Sequence, residues 1–392
     1  METKIDPHRN KEKYEKWRNK INGIIPNISK ENSDLILEYL DDMERGVNIA
    51  KGSKKGSRSY VRLNVLKQRL IFLSIGFNNK FNKTLITITE NNLFDFFQEM
   101  RGGKIVRSNG EKYKSIKDYA KDFKSFWHWY QKRNKKQGII IEDITFDLDT
   151  TGEKPVWVYL TEEQIKTLAE SAKYEYKVLI WFLFDSGIRA PTELMNIKVS
   201  DFFNDFKELN IRENISKTFG RRIKLMISSE LIKKYIEHKN LGFDDYLFTI
   251  NPTGMNTYLK RLSKRIFGEK KSPAGEYYHK LTLYDIRHCS CCYWLPRYKS
   301  ESALKYRFGW KKSEKIHYYS ELLGMKDTIS EEDILVDVTK IELEKRLDKS
   351  ERKISMLKEE NDILKEQMKI IAQSVIKLNH NFKQQYLSEI GV

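Results

Sequence analysis

The sequence is short of cysteine, of acidic residues and of long apolar runs, and each shortage excludes something. Three cysteines in 392 residues build no disulfide framework. The longest uninterrupted apolar stretch, Val178 to Phe184, falls far below the roughly 20 residues that a membrane-spanning helix requires. The opening residues carry charge without an apolar segment, so no secretory leader is expected. Asp and Glu number 55 against 72 Lys and Arg, a formal net charge of +17. These features predict a soluble, cytoplasmic protein whose partner is a polyanion, most simply nucleic acid.

What is present divides the chain into parts. Residues 1–29 are charged and read as a peripheral N-terminal segment. Residues 30–138 read as a basic four-helix domain. Its first helix lies between Ser29 and Gly46, and a Gly/Ser-rich loop with Lys51, Lys54, Lys55 and Arg58 follows. Val61, Val65, Leu66, Leu70 and Leu73 lie near one face of the next helix. Thr89 caps a third, and Ile116, Tyr119, Phe123, Trp127 and Tyr130 form a core stripe on the longest. From Arg107 to Lys136 there are ten Lys or Arg and three acids, so its other faces, with Lys117, Lys121 and Lys124, are basic.

Residues 139–157 read as a non-helical linker and 158–326 as a second domain. Thr161 with Gln164 resembles a capping box, and Gly187 stops an apolar helix. Residues 207–227 alternate apolar and polar around a Gly-containing turn, a β-hairpin signal. The chain is thus mainly α with a small β-sheet or hairpin. In 327–392, apolar residues recur at heptad steps from Leu343 to Phe382, with Asn361 in an a slot between Leu357 and Leu364. This predicts a C-terminal coiled coil that joins two copies in parallel.

Four separated pieces carry chemistry-bearing residues. Arg189 sits in the turn after Gly187, where Pro191 is placed to begin a helix whose free N–H groups would favour an anion. Lys217 lies near the hairpin tip, followed by Arg221 and Arg222. Arg287 and His288 enter an otherwise apolar helix, which requires an anionic partner. Cys289, Cys291 and Cys292 share that helix and read as small buried hydrophobes, not as metal ligands. Tyr318 and Tyr319 are about 100° apart on a helix, and only Tyr319 shares a face with Ile316 and Leu323. Taken singly, each piece has an ordinary structural reading.

Taken in order, "GIR…E", hairpin "SK", "YDIRH" and "GW" followed nine residues later by Tyr resemble the tyrosine recombinases, the phage-integrase family. The likeness covers about Tyr159 to Met325, and the basic helical domain is similar in position to the family's core-binding domain. The "GIRAPTEL" wording and the Lys- and Ile-rich composition look similar to archaeal members. The resemblance implies Arg189 and Arg287 as catalytic arginines, Lys217 as the hairpin lysine, Trp310 in the His-or-Trp slot and Tyr319 as nucleophile. It implies Glu193 and His288 as supporting residues. It also implies site-specific DNA recombination through a 3′-phosphotyrosine, no metal or other cofactor, and assembly as a tetramer on double-stranded DNA. Phosphate contacts are expected from Lys51, Lys54, Lys55, Arg58, Lys117, Lys121, Lys124, Arg221 and Arg222. Three features depart from the family pattern. Tyr284 occupies the slot usually held by histidine, Glu193 lies four residues after Arg189 where three is usual, and "KKSEKIHYYSE" lacks small residues. The alternatives are a type IB topoisomerase and an architectural DNA-binding protein without catalysis.

Overall fold

The structure is a computed structural model. It describes residues 4–49, 56–152, 154–249, 251–298 and 300–323, together with 354, 357, 361, 364, 365, 368 and 369. Two compact units are present, Met1–Leu322 and Leu323–Val392.

The first half of the larger unit is helical: α1 (Asn10–Lys20), α2 (Lys30–Arg45), α3 (Tyr60–Phe81), α4 (Glu90–Gly102) and α5 (Ile116–Lys135). Ser29 caps α2 by accepting the Asn32 N–H, and Gly46 ends it at φ 75°. Thr89 caps α4 in the same way. The apolar faces meet in an aromatic core where Phe77 contacts Phe96 and Phe123 edge-on at 5.0 and 5.5 Å. Residues 1–29 are not merely peripheral: Tyr14, Ile21 and Ile25 enter this core. Tyr14 and Ile21 fall two helical turns apart in a segment otherwise full of charge, so the apolar face is narrow but real. The linker is clasped by α5. Trp127 Nε1 donates to the Glu142 carbonyl (2.9 Å), and Lys124 Nζ donates to the Thr145 carbonyl (2.9 Å).

The second half contains α6 (Glu162–Glu170), α7 (Tyr174–Ser186), β1 (Phe202–Phe203), β2 (Glu208–Ile211), β3 (Arg221–Lys224), α8 (Ser229–Lys239), α9 (Pro252–Phe267), α10 (Leu283–Trp294), α11 (Glu301–Phe308) and α12 (Glu314–Leu323). Thr161 and Gln164 form the full capping box on α6. The strands make an antiparallel sheet in the order β1-β2-β3, with Leu209 opposite Ile223 and Ile211 opposite Arg221. α7 and α10 pack together, and Trp294 Nε1 donates to the Asp185 carbonyl (3.0 Å). No α-helix begins at Pro191. The chain turns there and makes a single 3₁₀ turn, Leu194–Asn196, with the Glu193 N–H donating to the Arg189 carbonyl (2.8 Å) and the Met195 N–H to the Pro191 carbonyl (2.9 Å). The helix-terminus anion site expected at Arg189 is therefore not formed. No described helix is long and apolar enough to cross a membrane.

The coiled coil expected in 327–392 lies outside the described residues. Of its heptad series, Ile354, Leu357, Leu364 and Met368 are described as helical, and each is at least half exposed.

Candidate active site

The site is built around one carboxylate. Glu193 is 1% exposed and accepts from Arg189 twice, at the backbone N–H (2.8 Å) and at Nη1 (2.7 Å). It also accepts from Arg221 Nη1 (3.1 Å) and Nη2 (2.8 Å). Burial pushes the Glu193 carboxyl up, but Arg221 and Arg189 reverse this and hold it at about 2. A buried charge so paired stays ionised and fixes both guanidinium planes.

The arginines find their other partners at the C-terminus of α11, where helix carbonyls lack intrahelical donors. Arg221 Nε donates to the Arg307 carbonyl (2.9 Å), Arg287 Nη2 to Phe308 (2.6 Å) and Arg189 Nη2 to Gly309 (2.6 Å). Arg287 Nη1 also donates to the Gly187 carbonyl. Three guanidiniums thus converge on the negative end of one helix, which complements their charge. Burial and the nearby Arg189 pull Arg287 down to about 10, so it remains charged at neutral pH. Gly309 has φ +60°, and a Cβ there would lie 2.9 Å from Arg221 Nη1. Only glycine permits this approach.

Lys217 lies in the β2–β3 loop, as expected. That loop is tethered on both sides of it. Ser216 Oγ donates to Glu193 Oε1 (3.3 Å) and Thr218 Oγ1 to the Gly309 carbonyl (2.9 Å). Arg189, Lys217 and Tyr284 line one wall of a cavity of about 910 Å³, and Arg62, Arg69 and Lys121 from the helical half line it as well. Among the described residues, six cations and three carboxylates border this space, so their field favours an anion.

Tyr319 occupies a separate aromatic seat. It is 4% exposed, stacks on Trp310 (ring centroids 5.8 Å, 10° between planes) and meets Trp157 edge-on at 6.0 Å. Its Oη lies 2.5 Å from His288 Nδ1, and the two share a hydrogen bond. Burial pushes the phenol well above the ordinary tyrosine value, with Arg287 pulling the other way. Tyr318 faces elsewhere, donating from its hydroxyl to the Pro155 carbonyl (2.8 Å). Tyr284 is half exposed and sits edge-on to His288 at 5.0 Å.

The structure therefore brings Arg189, Arg287 and Glu193 together and places Lys217 and Tyr284 on the adjoining wall. It seats Trp310, His288 and Tyr319 as a neighbouring cluster, with the Tyr319 hydroxyl engaged by His288. Of the residues expected to meet DNA, Arg221 does not fit: it is fully buried and holds Glu193 and the α11 carbonyl. Strand alternation puts it on the face of Leu209 and Ile223, a signal present in the sequence. Arg222 is exposed and lies over the Phe203 ring at 4.1 Å. Lys121 lines the cavity, whereas Lys124 binds linker carbonyls and Lys117 packs against Gly152. Arg58 Nη1 donates to the Gly56 carbonyl (3.0 Å). Lys51, Lys54 and Lys55 lie outside the described residues. All three cysteines are free and buried, and burial pushes each thiol up. Sequence reasoning missed Ser216 and Thr218, which tether the lysine loop. It also missed Trp157, whose ring lies 4.7 Å from that of His288.

No family model matches the chain, and no curated protein matches it in sequence. Solved structures do. A lambda integrase dimer bound to a COC′ core site superposes with TM-score 0.55 at 16% identity, covering 81% of this chain and 83% of that one. A lambda integrase tetramer bound to a Holliday junction gives 0.53 at 15% identity, covering 78% and 89%. The Tn1549 transposon integrase in complex with a circular intermediate DNA gives 0.52 at 13% identity, covering 74% and 93%. The chain has the tyrosine-recombinase fold, lambda integrase-like, mainly helical with a small three-stranded sheet.

Proposed function

We propose that this chain is a site-specific DNA recombinase that integrates or excises a mobile element through a covalent 3′-phosphotyrosine. The observation that carries this reading is the convergence of Arg189 and Arg287 on one point of the fold, beside a cavity walled by Lys217. The fold likeness to integrases supports it.

The chemistry follows from the residue types. The Tyr319 oxygen attacks the phosphorus of a DNA phosphodiester, and the bond from phosphorus to the 5′ oxygen breaks. Negative charge grows on the non-bridging oxygens, where guanidiniums of Arg189 and Arg287 stabilise it without reorganising. The phenol proton passes to His288 Nδ1, already in hydrogen-bond contact. Tyr284, in the slot where the family usually has histidine, leaves that role to His288. Lys217 gives a proton to the departing 5′ oxygen, and Trp310 Nε1–H is a donor for the phosphate. A 5′-hydroxyl from a second strand reverses the sequence and completes exchange. In the seated state the phenol is buried and bonded to His288, and it becomes a nucleophile as that proton leaves.

A pool of nicked suicide duplexes of varied sequence tests this. The expected product is a denaturant-resistant protein–DNA adduct whose linkage maps to Tyr319. Non-covalent binding alone, with no adduct from any duplex in the pool, would instead indicate an architectural protein. The heptad series further supports dimerisation through the tail. Removing residues 340–392 should convert a dimer to a monomer by light scattering, and an unchanged oligomeric state would exclude the tail as the dimer contact.

A further inference from the structure

Residues 4–9 run from one half of the larger unit to the other, and both ends of this stretch are anchored. At one end, Ile5 N–H donates to Asn196 Oδ1 (2.8 Å) and Asn196 Nδ2 donates to the Ile5 carbonyl (3.1 Å). Asn196 is 2% exposed and is fixed in turn. Its Nδ2 also donates to the Thr192 carbonyl (2.8 Å), and its own carbonyl accepts from Arg212 Nη2 (2.6 Å). At the other end, the Asp6 carboxylate accepts the Asn10 N–H (2.5 Å) at the start of α1. That helix docks on α3 through buried Tyr14, and Asn64 Nδ2 donates to the Asn10 carbonyl (2.8 Å).

This strap carries one cation into the cavity. Lys4 is exposed and lines the same space as Arg189, Lys217, Arg62, Arg69 and Lys121. Its Nζ donates to the carbonyl of Ile215, two residues before Lys217 (3.0 Å). An ammonium has three donors, and this contact uses one. The Ile215 carbonyl thus aims the ammonium while leaving it able to bind an anion.

We propose that the strap delivers Lys4 as a DNA-phosphate ligand in the cavity, and that the paired amides of Ile5 and Asn196 hold it there. The proposal rests on the reading of the cavity as the DNA-facing site. A lysine on a disordered arm would lose much of its gain to the entropy of being ordered, whereas this one is already placed.

The test uses the full chain and a mixed-sequence DNA duplex, with affinity measured across a salt series. K4A should lower the slope of log affinity against log salt by about 0.9, the loss of one phosphate contact. K4R should keep the slope. I5P, which removes the N–H donor that seats the strap, should reproduce K4A, and K4A/I5P should be no worse than either. An unchanged slope in K4A, even with a lowered melting temperature, would overturn the proposal and leave the strap a structural brace. The functional reading fails separately: absent adducts with the K4A effect intact would remove the recombinase chemistry and keep the phosphate ligand. A wild-type protein with no salt-dependent binding would remove both.

Discussion

Tyr319→Phe should cut formation of the covalent DNA adduct by at least about 10³-fold, because it removes the hydroxyl that meets His288 beside the arginines. Tyr318→Phe should leave adduct formation within about threefold, costing only one hydrogen bond to the Pro155 carbonyl, roughly 1 kcal/mol of stability. The two substitutions remove the same atom from adjacent residues, and equal melting temperatures for the two variants would exclude folding as the source of a split result. His288 supplies the mechanism behind the split, because its Nδ1 meets the Tyr319 hydroxyl and not that of Tyr318. The measurement is adduct yield on a suicide duplex under single-turnover conditions. Adducts persisting in Tyr319→Phe, or disappearing in Tyr318→Phe, would reassign the nucleophile.

Glu193→Ala should be the most destabilising single change in the site. It leaves Arg221, fully buried, without its counter-ion, at a cost of roughly 3–5 kcal/mol. Glu193→Gln keeps the shape and removes the charge, which isolates the electrostatic part. The folded carboxyl stands at about 2 against an ordinary 4.5. A depressed carboxylate contributes stability that is present above the unfolded value and is lost as pH falls through the folded one. The contribution is therefore full above about 4.5 and disappears toward 2, roughly 3 kcal/mol in all. Denaturant unfolding at a series of pH values should show Glu193→Gln less stable than wild type at neutrality, with the gap narrowing in that window. A gap of constant size from neutral pH to about 3 would contradict the assigned linkage. Catalysis should suffer too, since Glu193 also orients Arg189.

These two residues also show what the sequence could and could not reveal. Tyr319 was legible because its selection needs only helical spacing within ten residues. Arg189, the Lys217 hairpin and Arg287 were legible because each lies inside a short local pattern. Glu193 was seen as a departure in spacing, but its clasp on Arg221 joins residues 28 positions apart through a strand face. Lys4 was out of reach, because its placement depends on an asparagine 191 positions after Ile5. The helix expected at Pro191 gave way to a local turn: the Glu193 and Met195 N–H groups close onto the carbonyls of Arg189 and Pro191, and only a single 3₁₀ turn follows. Patterns within one element were readable, and bonds that join distant elements were not.

The three arginine-to-carbonyl bonds at Arg307, Phe308 and Gly309 have a mechanical consequence. They pin the main chain on the near side of Trp310 to three other segments of the fold. Any swing of α12 that leaves those bonds intact must take place beyond that anchor, in the bend at Lys311–Ser313. Tyr319 therefore rides on a short crank whose bearing is made of guanidinium groups.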